Sequence, residues 1–205
     1  MSGTKQNKGE QLYRIAESQA GLFTTKQAKA VGYTENNFPH YIRTGSWIRE
    51  HRGIYRLARF PESENSQLVL WSLWSRNRAE IPQAVYSHET ALRIYDLSDI
   101  MPARLHVTVP IAFRRNSRIP AVLVLHRADL HSEDIESMQG FQVTRPLRTL
   151  VDLVEAQTVS RDFIEQAVTQ GLESGLITRR DIRDPWGHTR YRRLLTFSCV
   201  YYTLC

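Results

Sequence analysis

The run Gly45-Ser-Trp-Ile-Arg-Glu-His-Arg-Gly-Ile-Tyr-Arg-Leu57 limits the fold of this chain more than any other stretch. Aromatic and β-branched residues at 46–50 and 54–57 flank His51-Arg52-Gly53, the pattern of a hairpin closed by a glycine-containing turn. What precedes it divides into short helices. Leu12, Ile15, Ala16 and Gln19 recur at i, i+3, i+4 and i+7, so a helix is expected over 6–18, ended by Gly21. Thr24 and Gln27 have the spacing of a capping box, which starts a second short helix that stops at Gly32. In the third segment Phe38, Tyr41 and Ile42 share one helical face, and Gly45 closes it. Its start is open at this stage. Thr34 is one candidate cap, but Pro39 would then lack an amide needed by the second turn; a start at Asn37 leaves Pro39 harmlessly in the first turn. Short helices followed by a hairpin predict a winged helix-turn-helix over about residues 6–60.

Charge assigns this domain a partner class. The 205-residue chain carries a formal net charge of +6. Up to Arg59 there are ten Lys or Arg against four acids, and the rest balances, so the entire surplus lies in the first 59 residues. Such a domain attracts polyanions by counterion release. The expected DNA-contacting set is Thr25, Lys26, Lys29, Thr34, Asn36, Asn37, His40, Arg43, Thr44, Arg49 and Arg52. Asn and Arg on the second short helix of the motif suit base edges, whereas Arg49 and Arg52 near the hairpin tip, with Lys26 and Lys29, suit phosphates.

The remainder, 61–184, reads as a mixed α/β domain, making the whole chain α+β. A helix is expected from Leu68 to about Arg78, and another opens after Ser87 as its cap. Strands follow at 105–109 and 121–126, joined by a polar hairpin loop with Arg114, Arg115 and Arg118. A strand at 141–144, a helix at 148–155 with Arg148 and Asp152 paired at i, i+4, and a helix capped by Ser160 complete it. His88-Glu89 has no nucleophile nearby in sequence, His106, His126 and His131 have no carboxylate at ligand spacing, and no nucleophile elbow or phosphate loop is present. No catalysis, cofactor or metal is expected. Cys199 and Cys205 read as stray thiols. Residues 185–205 form an atypical tail, aromatic and free of acids. With neither a signal peptide nor an 18-residue apolar run, the expected location is the cytoplasm, without membrane association.

Several runs resemble AbiEi-type antitoxins. They are Leu12-Tyr-Arg-Ile-Ala16, Gly21-Leu-Phe-Thr-Thr25, Ala28-Lys-Ala-Val-Gly-Tyr33, Arg43-Thr-Gly-Ser-Trp47 and His51-Arg-Gly-Ile-Tyr-Arg-Leu57. Tyr86-Ser-His-Glu-Thr-Ala-Leu92 and Val143-Thr-Arg-Pro-Leu-Arg-Thr-Leu-Val-Asp152 resemble the family's C-terminal domain. The resemblance implies an antitoxin of a type IV toxin–antitoxin system linked to abortive infection by phage. Such a protein represses its own operon through repeats in double-stranded operator DNA. It counteracts a nucleotidyltransferase toxin without a stable complex. Ser87, His88, Arg148, Thr149 and Asp152 lie in the resembling C-terminal motifs and become candidates for the antitoxic role. The tail departs from the family pattern. Two further readings stand beside it: a winged-helix regulator whose C-terminal domain senses a small molecule, and a nucleic-acid enzyme whose winged helix delivers an active site.

Overall fold

The structure, a computed structural model, describes residues 7–63 and 65–183. The tail at 185–205 lies outside them. Two compact units are present. The first comprises the described residues up to Ala84 together with Ser137–Phe141; the second comprises Val85–Glu136 and the chain from Gln142.

In the first unit, α1 (Lys8–Glu17) starts at Asn7, whose side chain accepts from the Gly9 amide at 3.1 Å. Leu12 and Ala16 form its buried face. The chain turns at Gly21, where φ is +81° and an added Cβ would lie 2.4 Å from that of Phe60, so no side chain fits. β1 (Leu22–Thr24) leads straight into α2 (Thr25–Ala30). The expected capping box is present: the Gln27 amide donates to Thr24 Oγ1 at 3.2 Å, and the Thr24 amide donates to Gln27 Oε1 at 2.8 Å.

Both candidate starts of the next helix are used, each for a different kind of turn. A 3-10 turn spans Glu35–Asn37 after Thr34, which makes no capping bond, and α3 proper is Phe38–Arg43. Pro39 sits in the first turn of α3, where its missing amide is not needed. The hairpin is β2 (Trp47–His51) and β3 (Ile54–Leu57), antiparallel, with a register irregularity between Arg49 and His51. β3 is central, flanked by β1 and β2. The domain is a winged helix-turn-helix.

Its core is aromatic. Trp47 lies within 6.0 Å, centroid to centroid, of Phe23, Tyr33, Phe38, Tyr41 and Tyr55. Helix α4 (Ser66–Trp74) stops short of the expected Arg78, because the Ser75 hydroxyl bonds back to the Ser72 carbonyl and turns the chain. The sequence boundary near residue 60 placed α4 in the C-terminal domain, whereas its contacts group it with β1 and β3 in the first unit.

The second unit has a five-stranded mixed sheet in the order β6-β5-β4-β8-β7. These are β4 (Val85–Tyr86), β5 (Leu105–Val109), β6 (Leu123–Arg127), β7 (Ile135–Ser137) and β8 (Gln142–Thr144). β5 and β6 run parallel, with Leu105 opposite Leu123 and Val109 opposite Arg127. The segment between them is therefore a crossover and not the expected hairpin loop. Phe113, only 2% exposed, anchors it, and the Arg127 guanidinium donates back to the Phe113 carbonyl at 2.9 Å. Helices α5 (His88–Ile94), α6 (Pro146–Ala156) and α7 (Arg161–Glu173) bury Leu92, Leu97, Leu150, Leu153, Ala167 and Val168 together, and α8 (Arg179–Arg183) follows. Neither Ser87 nor Ser160 makes the capping bond expected of it. Among the described residues no helix is long and apolar enough to cross a membrane.

Candidate nucleic-acid interface

Winged-helix side chains become available to DNA only where the fold leaves them unpaired. Asn36, Asn37, His40, Arg43 and Thr44 are all exposed, in the 3-10 turn, on α3 and at its end. Phe38 supplies the opposite, buried side, and Tyr41 packs on Trp47. Arg49 lies on β2, and Arg52 stands in the turn whose Gly53 has φ +77°. Arg43, Arg49 and Arg52 have no hydrogen-bond or ion-pair partner among the described residues. Three exposed guanidiniums thus lie on α3 and the wing.

Other members of the expected set are already occupied. Thr25 ties the start of α2 to the wing, its amide donating to the Gly53 carbonyl at 3.0 Å. Lys26 pairs with Glu80 at 3.0 Å and donates to the Arg78 carbonyl at 3.1 Å. Lys29 lies 3.5 Å from Glu35. Asn37 donates to the Thr34 hydroxyl at 3.2 Å, and Thr44 bonds the Tyr41 carbonyl at 3.2 Å. Arg56 is committed to Glu50 at 2.6 Å and to the Phe60 carbonyl at 2.9 Å, so it belongs to the fold. Local positive charge is therefore smaller than the sequence count, because Glu62 and Glu80 also reach these cations.

In the second unit, Arg148 and Asp152 pair at 2.8 Å as expected, with Asp134 3.6 Å from Arg148. Burial raises the Asp152 carboxyl to about 6 despite Arg148. Thr149 is fully buried and bonded to Thr144 at 2.7 Å, a structural arrangement. Ser87 and His88 join a cluster that the sequence did not reveal. His88 stacks on His126 with ring centroids 3.6 Å apart, and the His106 Nδ1 lies 3.1 Å from the His126 Nε2. The Glu89 Oε2 is 2.9 Å from His106 Nδ1, correcting the expectation that these histidines lack a carboxylate. Among the described residues, no group of three or more His, Cys, Asp or Glu is arranged to hold a metal ion.

This cluster makes the second unit sensitive to acid. Burial, helped by His126, lowers His88 to about 3 from the ordinary 6.5. A depressed folded value means that the unfolded chain binds the extra proton, so stability is lost as pH falls from about 6.5 toward 3. Glu89, lowered to about 2 because hydrogen bonds from His106 and Thr158 outweigh burial, acts in the same direction below about 4.5. Asp152, raised from 3.8, acts oppositely between about 4 and 6. Comparing the wild type with His88→Asn separates these terms, since asparagine tolerates the φ of +53° found at this position. Because Asp152 offsets part of the loss in both proteins, urea unfolding is expected to show the wild type losing about 1–2 kcal/mol more stability than the variant between pH 7 and pH 5.

Residues 10–58 match the family described as "Transcriptional regulator, AbiEi antitoxin" (AbiEi_4), which covers the winged helix. No curated protein sequence matches the chain. Among solved structures, the crystal structure of the RV2827C protein from Mycobacterium tuberculosis is similar at 12% identity and a TM-score of 0.46 over 79% of this chain and 71% of that one. The winged helix of this chain is thus similar, over residues 10–58, to the AbiEi antitoxin family of transcriptional regulators.

Proposed function

We propose that the chain is a DNA-binding autorepressor and antitoxin, which represses its own operon and counteracts a nucleotidyltransferase toxin. The observation that carries the DNA half is the group of three exposed, unpartnered guanidiniums, Arg43, Arg49 and Arg52, on α3 and the wing. Arginine in that state keeps all its donors for phosphates or guanine edges. Operator repeats suit a winged helix of this size, since one α3 reads only a few base pairs. The antitoxin half rests on the family match, and it acts without a stable toxin complex.

A reporter driven by the DNA upstream of this reading frame tests the first half. Repression by the wild type and derepression by Arg43→Ala with Arg52→Ala are expected; equal repression by both would refute it. For the second half, co-expression is expected to restore growth of cells making the toxin, with no toxin co-purifying. Growth arrest despite full expression of the chain would contradict it.

Lys26 adds a prediction of opposite sign. Glu80 competes with DNA for its ammonium, so Glu80→Gln is expected to tighten operator binding two- to five-fold, the equivalent of about 0.5–1 kcal/mol for a surface pair. Fluorescence anisotropy at fixed salt measures it. Weaker binding would show that Glu80 positions Lys26 instead of withholding it.

A further inference from the structure

The second unit contains a cleft of about 380 Å³ that the DNA-binding reading does not use. Its polar side is built by Glu89, Arg104, His106, Thr158 and Ser160, and its apolar side includes Met101 and Phe163. Each polar group has a distinct state. The Thr158 hydroxyl donates to Glu89 Oε1 at 2.7 Å, while Glu89 Oε2 lies 2.9 Å from His106 Nδ1. The carboxylate, 7% exposed, is thereby fixed in the wall through Oε1. The His106 Nδ1 also lies 3.1 Å from His126 Nε2, and the His106 Nε2 has no partner among the described residues.

Arg104 and the Ser160 hydroxyl likewise have no partner among the described residues. Glu89 keeps its negative charge inside the wall, and the Arg104 guanidinium is the cation that the lining exposes at the cleft surface. A guanidinium, a hydroxyl and an imidazole nitrogen together match a phosphoryl group: two donate to its oxygens, and Nε2 accepts from a protonated P–OH or donates when the ring carries the proton. On the other side, Phe163 and the 75%-exposed Met101 offer an aromatic face and a polarisable thioether to a planar ring. The volume lies at the lower end of small-molecule sites, about 300–1,000 Å³, which suits one phosphate and one ring system and is too small for a dinucleotide.

We infer that this cleft binds a nucleoside monophosphate, its phosphate on Arg104, His106 and Ser160 and its base against Met101 and Phe163. The inference is independent of DNA binding by the winged helix.

Isothermal titration calorimetry of the full chain with AMP, GMP, CMP and UMP, each beside its nucleoside and inorganic phosphate, tests it. At least one nucleotide is expected to bind one-to-one, at least tenfold tighter than its nucleoside and than phosphate. Arg104→Ala, a change at an exposed side chain, and His106→Asn are each expected to weaken it tenfold or more. The control Arg52→Ala leaves it unchanged. Failure of all four nucleotides overturns the inference. So does a nucleotide affinity that survives Arg104→Ala, which puts the ligand elsewhere, or phosphate binding as tightly as any nucleotide, which removes the base contact.

Discussion

Trp47→Ala is expected to lower the thermal midpoint of the winged-helix unit by 15 °C or more, or to leave that unit unfolded. Trp47 is 3% exposed and touches five aromatic rings, contributed by β1, the loop after α2, α3 and β3. Truncating a buried aromatic costs about 3–5 kcal/mol, the sum of lost transfer energy and the cavity left behind. A small domain has about 5–15 kcal/mol in total, and each kcal/mol moves the midpoint of a 60–100-residue domain by about 4–8 °C. Here the loss also frees Phe38 and Tyr41, which set the orientation of α3, so DNA binding should fall with stability. Tyr13→Ala serves as a control. Tyr13 is 47% exposed and among the aromatic rings of the described residues meets only Phe60, at 5.1 Å, so the change is expected to cost under about 1 kcal/mol. Circular dichroism melts of both variants check the pair; equal shifts would show that the ring cluster does not hold the domain together.

The second large effect separates two roles for arginine. Arg43 lies at the end of α3 and Arg52 in the wing turn, and neither has a protein partner among the described residues. If Arg43 reads a base edge, Arg43→Ala is expected to relax sequence preference at one operator position, by about 1–3 kcal/mol. The affinity for unrelated DNA would change much less. If Arg52 contacts a phosphate, it contributes through counterion release, and Arg52→Ala is expected to weaken binding to all sequences. The slope of log affinity against log salt should then fall by about 0.9, one phosphate contact. Anisotropy titrations on operator and scrambled DNA at several salt concentrations distinguish the patterns. A reversal of the two would exchange the roles of helix and wing.

How far the sequence carried this structure depended on the range of each contact. The capping box at Thr24 and Gln27, the wing turn at Gly53 and the Arg148–Asp152 pair all join residues at most a few positions apart, and all three were legible. Pro39 made the start of α3 ambiguous because the segment uses two kinds of helical turn in succession. Direction was lost where two strands flank a polar segment: residues 105–127 have a hairpin's hydrophobic pattern, and it is the parallel register of Leu105 with Leu123 and Val109 with Arg127 that makes the segment a crossover. That error hid the histidine cluster. In the parallel register Thr108 faces His126, which puts His126 diagonal to His106 on the same side of the sheet. Neither the Lys26–Glu80 pair nor the Glu89–His106 pair has a sequence signal, since each joins distant segments brought together by packing.

The most direct test of DNA recognition through α3 and the wing is a salt titration of binding to the DNA upstream of the reading frame. It compares the wild type with a triple variant carrying Arg43→Ala, Arg49→Ala and Arg52→Ala. The wild type should bind that DNA in preference to scrambled duplex, and the triple variant should lose the preference and about 2–3 units of salt slope with its melting midpoint unchanged. A triple variant that folds and keeps both affinity and slope would contradict it.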